Sequence, residues 1–228
     1  SPVTRRLIFS SRVMSISIIF PLRGIAQSDA PAHVLEAMPL LAAAFVINMI
    51  SMIINLSMTA NYFGTIDREG FATLVSTPLD RRWIIVSANL AVLLYTALQY
   101  LVFLAGIALL TRSWIVLPLG LYMGLCQQIG GAPPYNLAAI IGPYRTQLKF
   151  SRGRQRGNLW GLLAWAISAP PILALIVLPY IFWKPGLVLT LPLGVVYSVG
   201  LYVVTLKPLA RLLQRREYAI LEAVTAED

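Results

Sequence analysis

One cysteine and one histidine among 228 residues set the first limits on what this chain can do. A lone thiol, Cys126, lies inside an apolar stretch, which leaves no disulfide framework and no thiol metal cluster. The lone His33 stands near Asp29 and Glu36, but the spacing of the three matches no known ligand pattern, so no metal site is expected. Charge is as scarce: 12% of residues are Asp, Glu, Lys or Arg against 58% hydrophobic, and residues 37–66 carry no charge at all. No Asp, Glu or His falls within the five long apolar stretches of the chain. That argues against a proton- or sodium-coupled transporter, which usually carries its coupling group inside the bilayer. It also leaves Ser87 and Ser168 without a base that would make either a hydrolytic nucleophile. No Gly-rich loop ending in Lys-Ser or Lys-Thr is present, so the chain cannot hydrolyse ATP alone.

What is there instead is apolar sequence in membrane-sized pieces. The mean hydropathy of +0.75 is far above that of a soluble domain. The stretches 37–66, 83–111, 113–144, 157–183 and 185–206 are each long enough for the roughly 20 residues that a helix needs to cross a bilayer. A further apolar run, 13–22, is about half that length and is bounded by Arg12 and Arg23, which fits either a sixth span or an interfacial helix. The distribution of basic residues decides between them. With six spans, Arg5, Arg6, Arg12, Arg68, Arg81, Arg82, Arg145, Lys149, Arg152, Arg154, Arg156, Lys207, Arg211, Arg215 and Arg216 share one side, and only Arg23, Arg112 and Lys184 lie on the other. Loops rich in Lys and Arg stay cytoplasmic, so the expectation is an all-α membrane protein of six transmembrane helices with both termini cytoplasmic. The spans are placed at about 13–28, 37–60, 83–110, 114–141, 159–183 and 186–206, within a single domain covering 1–228. The same loops account for the net charge of +9, and no nucleic-acid partner is expected. The opening SPVTRRLIF has no small-residue cleavage site after its apolar part and does not read as a secretory signal; a start at Ser1 without methionine is compatible with a fragment. Short loops leave no space for a soluble catalytic domain.

Polar residues within the spans form patterns. Asn48, Ser51, Asn55 and Thr59 recur at spacings of three and four, which places them on one helical stripe. The stripe suits a translocation path or a set of hydrogen bonds between helices. Gln127, Gln128, Gly130, Gly131, Pro133, Pro134 and Asn136 remove backbone donors and side-chain bulk together, and predict a break in the fourth span: a hinge or substrate-facing bend, or its frayed cytoplasmic end. Pro170, Pro171 and Pro179 predict kinks in the next span. Gly120 with Gly124, and Gly194 with Ser198, would let helices approach closely, within one subunit or across a homodimer.

The polar interruption at 61–82 carries an apolar face. Phe71, Leu74, Val75, Pro78 and Leu79 fall at helix-like spacing, and Asp67 and Glu69 stand where a helix start favours negative charge. Pro208 suits the first turn of a new helix in the tail, 207–228, with Leu209, Leu212, Leu213 and Ile220 on one face, to lie along the membrane or against a partner. The basic loop 145–156 suits membrane anchoring or the same partner.

Residues 61–82, reading NYFGTIDREGFATLVSTPLDRR, with the S-A-N-L-A entry into the next helix, resemble the integral-membrane permeases of ABC type-2 exporters. In that family an Asp-x-x-Gly core and a later Pro-x-x-Arg link the second and third of six helices; here these are Asp67, Gly70, Pro78 and Arg81. Where family members usually continue Gly-Lys-Asn-Leu, this chain has Ser87, Ala88, Asn89 and Leu90. The tail RREYAILEAV is similar to the carboxyl-terminal tails of some such permeases. The resemblance implies a permease subunit without enzymatic activity of its own, with ATP and Mg held by a separate cytoplasmic ABC ATPase and no cofactor on this chain. It implies a second permease domain, as a homodimer or a related half, in a membrane that is naturally a bacterial inner membrane. The linking segment would be the coupling helix, with Asp67, Glu69, Gly70, Phe71, Leu74, Val75, Pro78, Arg81 and Arg82 at the ATPase, Phe71, Leu74 and Val75 offering an apolar ridge to a groove on it. Asn48, Ser51, Asn55, Thr59, Gln127 and Gln128 would line the path. An ion-driven transporter and a non-transporting scaffold subunit are the alternatives.

Overall fold

The computed structural model describes residues 32–55, 68–142 and 159–225. The expected span 13–28, Thr59, Asp67 and the basic loop 145–156 lie outside them. The described residues form helices and short connections, with no strand. In chain order these are α1 (Ala32–Ile54), α2 (Arg68–Ser76), α3 (Arg81–Thr111), α4 (Val116–Ile141), α5 (Leu159–Phe182), a single 3₁₀ turn (Lys184–Gly186) and α6 (Leu187–Thr225). Three segments, Val34–Ile54, Arg81–Thr111 and Lys184–Glu222, are long and apolar enough to cross a membrane, which points to an integral membrane protein. The outward faces of α3 and α6 agree: Leu98, Val102 and Leu110 on one and Val188, Val196 and Val204 on the other are exposed, a surface that lipid covers at no cost.

α4 is the hub, packed against α1, α3, α5 and α6. Its composition explains this position. Glycine removes the bulk that would hold neighbours away: a Cβ on Gly124 would lie 2.6 Å from the Tyr100 ring, one on Gly120 would lie 2.6 Å from the end of Leu104, and one on Gly130 would meet Ile172 at 3.0 Å and Ser198 at 3.2 Å. Gly194 of α6 passes just as closely over the Tyr122 hydroxyl, at 3.0 Å. Both small-residue pairs are thus used inside one subunit. The break expected in this span is absent: α4 is unbroken through Pro133 and Pro134. The two prolines cannot donate to the carbonyls of Ile129 and Gly130, but Pro133 is buried and Pro134 half-buried, so packing on both sides outweighs the local cost.

The spacing Gly120/Gly124 carries a prediction. Tyr100 is fully buried and its ring is rigid, whereas Leu104 can rotate its terminal methyls. Gly124→Ala should therefore cost about 1 kcal/mol or more beyond Gly120→Ala, within the range for overpacked cores. Denaturant titration of the two variants in detergent micelles gives the comparison, and equal losses would count against the ring contact.

Two apolar cores follow from this arrangement. The larger joins α1, α3, α4 and α5 around Ile47, Tyr100, Met123 and Ile172. The smaller lies at the charged end, where Phe71 of α2, Ile84 and Ile85 of α3, Ala139 and Ile140 of α4, and Leu209, Leu213 and Ile220 of α6 meet. The tail is consequently not a separate element. α6 continues without interruption through Pro208 for 39 residues, because the face bearing Leu209, Leu213 and Ile220 is held against the chain's own helices.

Candidate functional site: an amide seam and an arginine clasp

Polar side chains in an apolar bundle must find partners, and on α1 and α4 they find each other. Asn48, Ser51 and Asn55, each at most 8% exposed, face Gln127 and Gln128, which are buried as deeply. Gln127 Nε2 donates to Asn48 Oδ1 at 2.9 Å. Gln128 Nε2 donates to Asn55 Oδ1 at 2.8 Å and Asn55 Nδ2 returns the bond to Gln128 Oε1 at 3.0 Å, a reciprocal amide pair. Asn55 Nδ2 also reaches the carbonyl and hydroxyl of Ser51, at 2.9 and 3.1 Å, and Asn48 Nδ2 donates to the Ala44 carbonyl at 3.1 Å. Five of the six residues read as a path are thereby brought into one neutral seam. Beside it, Gln127 Oε1 and the hydroxyls of Tyr100 and Tyr135 are buried without a hydrogen-bond partner among the described residues, which leaves polar capacity at the centre of the bundle. A second chain of amides, absent from the sequence reading, ties three helices: Asn136 Nδ2 donates to Asn89 Oδ1 at 3.2 Å, and Asn89 Nδ2 donates to the Tyr202 hydroxyl at 3.1 Å.

At the charged end the chain turns twice within a few residues. α2 stops at Ser76, and α3 starts at Arg81 behind an extended Asp80 whose side chain accepts from Arg82 N at 2.9 Å. The Ser76 hydroxyl meets the Thr73 carbonyl and the Leu79 N–H that of Thr77, and Arg81 adds donors to the carbonyls of this helix end and turn. Its Nη2 donates to the Val75 carbonyl at 2.8 Å, its Nη1 to those of Thr77 and Leu79 at 3.1 and 3.0 Å, and its Nε to Glu217 Oε2 at 2.8 Å. The side chains of Arg81 and Glu217 are only 13% and 9% exposed, so this is a shielded clasp joining α2, α3 and α6. Arg216 similarly donates to the Ile141 carbonyl at the end of α4, at 3.0 Å. A cation at a helix carboxyl terminus also meets the negative end of the helix dipole.

The clasp fixes how α2 is oriented, and here the expected geometry changes. Glu69, Gly70, Phe71, Leu74 and Val75 all fall within α2, but Phe71 is 4% exposed and packed into the smaller core, with half-buried Val75 against it. Of the apolar ridge expected to face a partner, Phe71 is covered by the chain's own α3, α4 and α6, and Val75 is half-buried against them. The outward side of this corner is Ala72, Thr73, Ser76, Pro78, Leu79 and Arg82. Glu217 was not singled out from sequence, although it stands between Leu213 and Ile220 on the buried face of α6, where a carboxylate requires a partner. At the opposite end Lys184 pairs with Glu36 at 2.8 Å, an exposed contact that gives Glu36 a role unrelated to a metal. Comparison with protein-family models, with curated proteins and with solved structures finds no match to the chain.

Proposed function

We propose that the chain is the membrane permease subunit of an ATP-driven exporter of the ABC type-2 kind, with six spans, both termini cytoplasmic, in a bacterial inner membrane. The observation that carries this reading is the α2–α3 corner: a short amphipathic helix between two long apolar helices, locked by Arg81 into both α3 and α6. A partner ATPase pressing on such an element would move two helices at once. The catalytic ATP and Mg would belong to that partner, and a second permease domain would complete the path. The amide seam between α1 and α4, with the Tyr100 and Tyr135 hydroxyls beside it, supplies neutral polar groups for a substrate to exchange with when the helices part. Shifting a two-state equilibrium from 1:99 to 99:1 takes about 5.5 kcal/mol, so the corner must be firmly joined to what it moves.

The docking surface in this reading is the outward side of the corner. Ala72→Asp combined with Leu79→Asp, both at exposed positions, should lower ATPase retention on gentle purification by about tenfold, about 1.4 kcal/mol of docking energy, while the helical content stays intact. Full retention by this variant would remove the corner as the docking site, and no associated ATPase on the wild type would remove the permease reading itself. Phe71→Asp is a poorer probe, since it disrupts the chain's own core. The second reading, a non-transporting scaffold, is favoured by one feature: the Asn55–Gln128 pair is mutually satisfied, as helix-bonding amides are.

A further inference from the structure

A cleft of about 540 Å³ opens between the α2–α3 turn and α6, walled by Thr77–Arg82 on one side and by Lys207, Arg211 and Gln214 on the other. Its charge is one-sided. Arg81 is turned away into the clasp with Glu217, which leaves Arg82, Lys207 and Arg211 against a single carboxylate, Asp80, itself 3.6 Å from Arg82. Lys207 and Arg211 are one helical turn apart on the same face of α6, and neither forms an ion pair among the described residues.

The depth of the cleft identifies its occupant. On α6 no charge occurs from residue 185 to 206, and Lys207 is the first; on α3 no charge occurs from 83 to 111, and Arg82 is the last. Both walls change from apolar to basic at the same level, which is that of the hydrocarbon boundary. Trp83, 65% exposed, stands directly beyond Arg82 as interfacial tryptophans do. Beneath the cations, Val203 and Val204 are exposed, one turn before Lys207 on its own face. A soluble anion would use the basic groups alone. An amphiphile whose phosphate meets the cations and whose acyl chains lie along Trp83, Val203 and Val204 uses all of these features. We propose that this cleft binds the headgroup phosphate of an anionic phospholipid. The assignment is independent of whether the chain transports anything.

The test uses the full chain in nanodiscs of phosphatidylcholine with a minor share of phosphatidylglycerol, followed by native mass spectrometry of the retained lipids. The wild type is expected to keep phosphatidylglycerol over phosphatidylcholine. Lys207→Gln with Arg211→Gln should lose about thirtyfold of that preference, since each basic residue at a membrane surface contributes of the order of 1 kcal/mol toward anionic lipid. Lys207→Arg with Arg211→Lys should keep it. Both positions are exposed, so the variants should match the wild type in helical content. Equal retention of the two lipids by the wild type, or an unchanged preference in the glutamine variant, would overturn the proposal. Displacement of the bound lipid by inorganic phosphate alone would reassign the cleft to free anions. Loss of ATPase association in the glutamine variant, with lipid preference intact, would reassign it to an acidic protein surface.

Discussion

Arg81→Ala is expected to cost about 3–5 kcal/mol, the usual result of removing one member of a buried ion pair. Two losses combine. Glu217, whose side chain is 9% exposed, is left charged without its partner, and the carbonyls of Val75 and Leu79 lose the guanidinium donor, while that of Thr77 keeps the Leu79 N–H. Arg81→Lys should recover less than half of the loss, because an ammonium has three donors on one atom and cannot span four acceptors arranged around a planar fork. Replacing both residues, as Arg81→Met with Glu217→Leu, should be milder than either alanine substitution alone, since the uncompensated charge disappears with its partner. Denaturant unfolding in micelles or bicelles measures all four variants. A loss below about 1 kcal/mol for Arg81→Ala would mean that the pair behaves as an exposed one, and the rigid corner invoked for coupling would lose its basis.

The second large effect lies in the amide seam. Asn55→Leu and Gln128→Leu should each cost about 1–3 kcal/mol, because each leaves a buried amide facing a methyl group. The double variant should lose less than the sum of the two singles by about 1–2 kcal/mol, a coupling energy at the upper end for hydrogen bonds between membrane helices. The same double variant separates the two uses of the seam. In a translocation path it would fold normally and abolish export of a polar cargo; in a scaffold it would fold normally and change nothing further. A double variant as destabilised as the sum of the singles would show that the two amides do not act as a pair.

The residues of the seam were legible because helical spacing is a local property. Asn48, Ser51 and Asn55 repeat every three or four residues, and Gln127 and Gln128 are conspicuous in an apolar stretch. Any polar group that must be satisfied away from water announces that it has a partner, and here the partners were each other. Phe71 illustrates the opposite case. Periodicity showed that its side of α2 is apolar, but the same pattern arises whether the cover comes from another protein or from Leu213 and Ile220, about 140 residues later in the chain. Pro133, Pro134 and Pro208 failed as break signals for a related reason: the cost of a proline is local and a few kcal/mol at most, while the packing that holds α4 and α6 straight is summed over many distant contacts. Glu217 could have been found, since a carboxylate four residues after Leu213 and three before Ile220 cannot sit on a buried face alone. The clear spans at α1, α3 and α6 were carried by length and hydropathy. α4 is as free of charge as the others, and its apolar stretch reflects packing against four other helices as much as contact with lipid.

The uninterrupted course of α6 has a mechanical consequence. At about 1.5 Å per residue, 39 residues make a rod of about 58 Å, nearly twice the thickness of the roughly 30 Å hydrocarbon layer. One extremity is pinned through Glu217 to Arg81, and the other adjoins the turn whose Lys184 holds Glu36. A rod pinned by a shielded pair near one extremity and only steadied by an exposed pair near the other resists sliding more than tilting. Rocking by about 10° about its midpoint carries each extremity about 5 Å, in opposite directions. If the proposed coupling acts at the charged corner, a rigid rod of this length would carry its push to the far surface as a displacement of reversed sense, with no signal passed from residue to residue in between.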